Sequence, residues 1–363
     1  MSAPTFIDLF SGCGGLSRGF TDAGLCLELG IDSDRAAAAT FAANFGEGRT
    51  MWAGIESLRS VPKVDVIVGG PPCQGFSGLG KQDPGDLRNK LWREYARVVQ
   101  ASECSVFVLE NVDRFSRSPE MESLERSTRK GGLLHGYELR RHLLNAADYG
   151  TPQRRTRTVI IGSRIGDVGP IEATHSKGGE GGLKIWRTVG DAIAHQALDP
   201  DPLWPVTQVP AWDGTIGGAF KLSDIHVGRN YSHLSLQRFR RIPVGGNRFD
   251  LPDELKAPCW IRHTSGAGDV MGRLVWERPS VTIRTEFFKP EKGRYLHPTA
   301  HRALTHAEAA LLQGFDSRHL WCGNRQEVAR QIGNAVPPPL AYAIAVSVRA
   351  ALMANKRSRS RRR

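Results

Sequence analysis

The sequence predicts an α/β protein, an open and mostly parallel sheet flanked by helices, with a second, smaller domain of irregular β character. Three observations carry this. Short apolar runs rich in β-branched residues alternate with amphipathic stretches through the first half of the chain. The first run leads straight into Ser11-Gly12-Cys13-Gly14-Gly15 and a helical pattern, the strand–turn–helix start of a nucleotide-binding unit. From His195 to Val275 periodicity gives way to scattered Pro, Trp, Arg and Gly.

The 363 residues are 40% hydrophobic and 24% charged, a globular composition. That length suits one large domain and a smaller one. No apolar run approaches a membrane span, and Met1-Ser2-Ala3-Pro4 lacks a signal-peptide pattern. Six cysteines without a C-x-x-C pair argue against a zinc site or disulfide framework and fit a reducing cytoplasm. No metal is expected. The net charge of +12 suggests a polyanion partner. Half of it comes from Lys356, Arg357, Arg359, Arg361, Arg362 and Arg363. Residues 356–363 read as a basic disordered tail that attracts phosphates; the alternative is a solubilising tail without specific use.

In chain order, 5–10 reads as a first strand and 16–23 as a helix. The glycines between them let the backbone approach a ligand, but their spacing is not the dinucleotide fingerprint. A second strand, 25–31, ends at Asp32-Ser33-Asp34. Asp32 suits a ribose, and Asp34 suits the N-cap of a helix over 35–44. A third strand covers 50–53. The stretch Val64-Asp65-Val66-Ile67-Val68-Gly69-Gly70-Pro71-Pro72-Cys73 reads as a buried strand stopped by two glycines and two prolines, with a cysteine just past its carboxyl end. That edge of an open α/β sheet is where ligands bind. Cys73 is thus either a nucleophile on a rigid turn or a small buried hydrophobe.

Residues 75–86 are polar and broken, a candidate lid beside the cysteine. A helix over 91–101 and a fifth strand over 105–109, ending in Glu110-Asn111-Val112, follow. Residues 115–132 read as loop and short helix. Two strands, 137–144 and 156–161, are joined through Asp148-Tyr149-Gly150-Thr151-Pro152, and Gln153-Arg154-Arg155-Thr156-Arg157 puts Arg155 and Arg157 on one strand face. Residues 166–182 suggest a hinge or insertion, 185–194 a helix, 278–283 a strand. Thr305-His306-Ala307-Glu308 is a helix start, and 338–353 an apolar final helix.

Pro71-Pro72-Cys73-Gln74, Glu110-Asn111 and the block Gln331-Ile332-Gly333-Asn334-Ala335-Val336-Pro337-Pro338 together resemble the DNA cytosine-5 methyltransferase family of bacterial and phage type, in the family's order. The resemblance implies a doubly wound, mostly parallel sheet of the S-adenosylmethionine-dependent methyltransferase fold. It implies a catalytic and cofactor-binding domain over 1–195, completed by 320–355, and a target-recognition domain over 196–319. It implies S-adenosylmethionine as cofactor and duplex DNA as partner. A monomer is expected, in the cytoplasm, with a cognate restriction endonuclease as a further partner in a restriction-modification pair.

Residue by residue, the resemblance assigns catalysis to Cys73, Glu110, Arg155 and Arg157. It gives the cofactor Asp8, Phe10, Gly12, Gly14, Gly15, Asp32, Ser33, Ile55, Pro72, Leu91, Asn334 and Val336. Gln74, Ser77, Lys81 and Gln153 are expected at DNA. The chemistry is coherent. Carbon 5 of cytosine is too electron-poor to take a methyl group directly. A thiolate added at carbon 6 makes it enamine-like, an acid such as Glu110 at ring nitrogen 3 stabilises the adduct, and a planar guanidinium suits the carbonyl oxygen. The base must leave the duplex stack first. No side chain announces itself as the base that removes the carbon-5 proton; water is the expectation. Base-reading donors are sought among Arg229, Arg238, Arg240, Arg241, Arg248 and Arg262.

Two departures stand out. Gly54 takes the place of an adenine-contacting aspartate, with Ile55 and Glu56 as substitutes, and Thr156 replaces a glutamate. Two other functions compete. A transfer-RNA methyltransferase on this scaffold carries a Cys-Phe-Thr triplet that is missing here, and a silent DNA-binding regulator loses the nucleophile or the glycine turn, both kept here.

Overall fold

A computed structural model describes residues 2–72, 91–262 and 265–361. The chain forms two compact units. Met1–Tyr149, Thr156–Thr174 and Val336–Arg363 make the first; Gly150–Arg155 and His175–Ala335 make the second. Residues 175–195 and 320–335, expected with the catalytic domain, therefore group with the second unit.

The first unit begins with β1 (Thr5–Leu9), α1 (Gly15–Asp22), β2 (Cys26–Asp32), α2 (Arg35–Phe45), β3 (Thr50–Trp52) and β4 (Val66–Gly69). It continues with α3 (Leu91–Ser102), β5 (Val106–Val112), α4 (Pro119–Ser127), β6 (Glu138–Asn145) and β7 (Thr156–Ser163). The seven strands lie in the order β3-β2-β1-β4-β5-β7-β6. All pair in parallel except β7, which runs antiparallel to both neighbours. The order reverses between β1 and β4, the switch point where open α/β sheets take ligands.

Alternation along the strands divides the core. Phe6, Val66, Val68, Val106 and Val108 face one cluster; Ile7, Leu9, Ile67, Phe107 and Leu109 face the other, with Tyr95, Val98 and Val99 of α3. Both faces are covered, which is why these strands read as continuous apolar runs.

The second unit holds two short parallel strands, β8 (His175–Ser176) and β9 (Lys184–Ile185), then α5 (Val189–Ile193). An antiparallel ribbon of β10 (Gln208–Ala211) and β11 (Gly214–Gly217) follows, then α6 (His233–Arg241), α7 (Pro258–Arg262), α8 (His306–Gln313) and α9 (Arg325–Asn334). Regular β structure is sparser here than the sequence suggests. The strand expected over 278–283 is reduced to a single bridge between Ser280 and Gln153. Thr305 caps α8 in the expected capping box with Glu308.

A buried ion cluster ties this unit together. The fully buried carboxylate of Glu308 takes two bonds from the Arg302 guanidinium, at 2.8 and 2.7 Å, and one from the Thr305 backbone N–H. Beside it, Nδ1 of buried His297 accepts the N–H groups of Thr299 and Ala300, and its Nε2 lies 3.7 Å from Glu308. Burial, only partly opposed by Glu308, pushes the His297 pKa down from 6.5 to about 4. Burial likewise takes His306 to about 3. Both histidines stay neutral in the fold while the unfolded chain binds protons below pH 6.5. Their stability is complete above that pH and is lost as pH falls toward 4 and 3. For His297 alone the loss is about 3 kcal/mol at the acid end. Thermal melts from pH 8 to pH 4 are expected to show a steep fall below 6.5 that His297→Gln makes shallower; an equal slope in the variant refutes this account.

The chain then returns to the first unit as α10 (Pro338–Arg361). The helix runs eight residues beyond the expected 353, so the tail expected to be disordered is helical through Arg361. Two glycines on one face of α1 let it dock: a Cβ at Gly15 collides with the Val336 carbonyl, and one at Gly19 with Ala341 and Tyr342. No single helix among the described residues is long and apolar enough to cross a membrane.

Candidate active site

The carboxyl ends of β1 and β2 build a glycine turn. Phe10, Gly12 and Gly14 all have positive φ, at 58°, 54° and 89°. For Phe10 this is a costly conformation, held by the surrounding turn. A Cβ at Gly14 would run into Phe45, whereas the Cβ side of Gly12 opens onto free space. Asp32 holds the turn: one carboxylate oxygen accepts the Gly12 N–H and the other the Asp34 N–H, both at 2.8 Å. Asp34 caps α2 through Ala36 and Ala37, as its position suggests. Beneath the turn, fully buried Asp8 accepts the Ser17 hydroxyl at 2.7 Å, and burial raises its carboxyl to about 7. Around the turn, Ile55 is buried, the Ser33 carbonyl accepts the Trp52 indole N–H, and Leu91 opens α3.

Three strand ends form the next part. Glu110 lies two residues before the end of β5 and is 8% exposed. Antiparallel register sets Arg157 of β7 opposite Val112, one step diagonal to Glu110 on the same face. Their charges meet at 3.1 Å, with both side chains largely buried. On the other side of β5, β4 exits through Gly70, Pro71 and exposed Pro72. Asn111 anchors that exit by donating its amide to the Pro71 carbonyl at 3.1 Å. A Cβ at Gly70 would sit 3.2 Å from the Glu110 carboxylate, close enough that the carboxylate would have to give by a few tenths of an ångström. Tyr95 bonds the Val108 carbonyl at 2.8 Å and bolsters the same strand from below. Sequence reasoning assigned no role to Tyr95 and read Gly70 only as a strand stop; the Glu-Asn pair at a strand end was the visible signal for Asn111.

Other expected site residues lie in the second unit. Arg155 is 2% exposed and donates to the carbonyls of Ile283, at 3.0 Å, and Gly333, at 2.9 Å. Gln153, expected at DNA, is fully buried: its carbonyl accepts the Ile283 N–H and its amide donates to Leu312 and Gln313. Both act as internal cross-links. Asn334 is the exposed last residue of α9. Of the candidate base readers, Arg229, Arg238 and Arg248 donate to backbone carbonyls within the unit, while Arg240, Arg241 and Arg262 are exposed. Cys73, Gln74, Ser77 and Lys81 lie outside the described residues, as does the whole of the lid expected over 75–86.

A family profile described as C-5 cytosine-specific DNA methylase matches residues 4–350. The chain belongs to that family. Among relatives, the type II methyltransferase M1.HphI of Haemophilus parahaemolyticus is 34% identical over 358 residues, 95% of this chain and 86% of that one. The type II methyltransferase M.NgoFVII of Neisseria gonorrhoeae is 32% identical, over 95% and 86%. A solved structure described as a DNA modification methyltransferase encoded within a prophage (E. coli) shares the fold with a TM-score of 0.70 at 24% identity, covering 97% of this chain and all of that one.

As a C-5 cytosine-specific DNA methylase, the chain is an enzyme that transfers a methyl group from S-adenosylmethionine to carbon 5 of cytosine in DNA. The glycine turn fits such a cofactor, with open space above Gly12 and a carboxylate at the end of β2. At Gly54, where a departure from the family is expected, the Glu56 carboxylate lies where a side chain at 54 would begin. The thiol of Cys13, inside the turn, is buried and pushed up to about 12 by burial, so it is inert at neutral pH.

Proposed function

We propose that this methylase works by covalent catalysis at Cys73 on a cytosine flipped out of a specific duplex sequence, as the modification partner of a restriction endonuclease. The observation that carries the reading is the Glu110–Arg157 pair, near the carboxyl end of β5 and the amino end of its antiparallel neighbour β7, next to the Pro71-Pro72 exit that leads to Cys73. The thiolate adds to carbon 6 while ring nitrogen 3 takes a proton from Glu110, and Arg157 neutralises charge on the carbonyl oxygen. S-adenosylmethionine, when bound, supplies an electrophilic methyl group to carbon 5. Loss of the carbon-5 proton to water then expels the Cys73 sulfur, and nitrogen 3 returns its proton. In this reading Asp8, Phe10, Gly12, Gly14, Gly15, Asp32, Ser33, Ile55, Pro72, Leu91, Asn334 and Val336 surround the cofactor. Arg155 is a positioning residue. Arg240, Arg241 and Arg262 face DNA, with Gln74, Ser77 and Lys81 closing on the flipped site. The enzyme works as a cytoplasmic monomer.

The deciding experiment incubates purified protein and labelled donor with duplex DNA and, separately, with transfer RNA, then maps modified cytosines. Label in DNA at one recurring sequence is expected. Label in RNA alone ends the DNA reading.

Glu56 is proposed to stand in for the aspartate missing at position 54, accepting from the adenine amino group. Losing a hydrogen bond to a charged group costs about 1.5–3 kcal/mol. Glu56→Ala should therefore weaken cofactor binding roughly tenfold or more in calorimetry, without changing DNA affinity, and adding Gly54→Asp should restore it. Unchanged cofactor affinity in Glu56→Ala refutes the substitution.

A further inference from the structure

We infer that Arg229 and Arg325 form a phosphate site on the second unit and that the backbone of the bound duplex occupies it. The inference rests on the reading above that the enzyme acts on duplex DNA.

The site stands on an aromatic floor. Buried His306, the first residue of α8, stacks on Phe288 with ring centroids 5.7 Å apart and meets Trp204 edge-on at 4.9 Å. Each of these outer rings carries a guanidinium. Arg325, the first residue of α9, has its Cζ 5.8 Å from the Trp204 centroid. The Cζ of Arg229 lies 5.9 Å from Phe288 and 5.8 Å from Tyr231. Backbone carbonyls fix both side chains: Arg325 donates to Gly228 at 2.6 Å and Arg229 to Phe288 at 3.1 Å. Gly228 immediately precedes Arg229, so the two cations gather round one short segment. Burial, and then the like charge of Arg229, lowers the Arg325 pKa.

Other arginines of this unit are fully engaged in holding it together. Arg273, Arg294 and Arg302 each make four hydrogen bonds within it. Arg294 and Arg302 also have carboxylate partners, Asp269 and Glu308. Arg229 and Arg325 each use one of their five N–H donors, and among the described residues neither is paired with an acid. Of the acids on the segments that build the site, Glu286 is held by Lys289 and Lys292, and Glu327 by the Asn324 N–H. Asp199 and Asp201, ahead of Trp204, are exposed and form an ion pair with neither guanidinium. Two like charges held close against aromatic rings repel, and a bound anion removes that repulsion. The planar fork of arginine suits phosphate oxygens, and the ring contacts pre-order it. The Tyr231 hydroxyl accepts the Ala303 N–H at 3.0 Å and keeps its own proton for a third bond. Arg229 is exposed and Arg325 half-buried, an opening that suits a duplex backbone passing over the surface better than an enclosed small anion.

The test measures duplex binding against salt concentration for wild type, Arg229→Gln, Arg325→Gln and the double variant. Each single change is expected to flatten the slope of log affinity against log salt by about 0.9, and the double change by about 1.8. The loss should be equal on duplexes with and without the target sequence, because phosphate contacts carry no sequence information. Arg229→Lys and Arg325→Lys keep the charge and should restore most of the slope. Asn230→Asp, at an exposed position beside Arg229, supplies an acid without touching either arginine and should weaken duplex binding several-fold. It keeps the test decisive if a Gln variant folds poorly, which cofactor affinity in calorimetry reports. A Lys variant as flat as its Gln counterpart would show that the arginines only bond carbonyls within the fold, and a loss confined to the target sequence would make them base readers; either overturns the inference. So does an unchanged slope in the double variant. Inorganic phosphate that then raises the Tm of wild type alone, at constant ionic strength, would assign the pair to a free anion. Absence of methyl transfer to DNA by wild type defeats the proposed function instead, and the binding measurement, which needs no turnover, still decides the site.

Discussion

Cys73→Ala is expected to abolish methyl transfer, by at least about 10⁴-fold, the scale on which enzymes lose turnover when a covalent nucleophile is removed. The other five cysteines cannot stand in for it. Cys13 and Cys104 are buried with thiols raised by burial, and Cys322 is buried in the second unit. Cys26 opens β2, at the edge opposite the active site, and exposed Cys259 sits in α7. Cys73→Ser should keep DNA binding while losing most activity, because a hydroxyl is far less ionised than a thiol at neutral pH. Duplex DNA with 5-fluorocytosine at the target should trap a covalent complex with wild type and none with Cys73→Ala, since fluorine cannot leave carbon 5 as a cation. Turnover in Cys73→Ala, or trapping without Cys73, rejects the mechanism.

What could be read from the sequence was what is local. The strand–turn–helix start, Asp34 as a cap, the Thr305–Glu308 capping box and the Glu110 strand end all depend on residues a few positions apart, and the structure holds them where the pattern put them. Helix α9 had a readable signal too, Asn324 capping with Glu327 three residues on. Gln153 and Arg155 were illegible for the opposite reason. Alternation on a strand gives them a face, but their partners at Ile283, Gln313 and Gly333 lie far along the chain. A basic run that looks like a phosphate contact is thereby turned to the carbonyls of Ile283 and Gly333 at Arg155 and to the Glu110 carboxylate at Arg157. The length of α10 was missed because its last turns carry charge instead of an apolar stripe; the Lys356–Asp65 contact ties that end down.

Glu110→Gln is expected to lower kcat by about 10²–10⁴-fold, the range for loss of a positioned general acid, with KM for DNA little changed. The amide keeps the shape and a donor for ring nitrogen 3 but has no proton to give as the thiolate adds. In the absence of substrate the Arg157 guanidinium lies 3.1 Å from the Glu110 carboxylate. Cytosine must therefore draw Arg157 toward its carbonyl oxygen as Glu110 takes up a proton, and the two side chains act as one device. Arg157→Ala should cost about 10²–10³-fold, as for one donor at a developing oxyanion, and Arg157→Lys should recover only part, lacking the planar fork. The double variant Glu110→Gln/Arg157→Ala should be far less impaired than the product of the single losses, because each single change already disables the other partner. Losses that simply multiply would show two independent groups, and the shared proton-and-charge step would have to be abandoned.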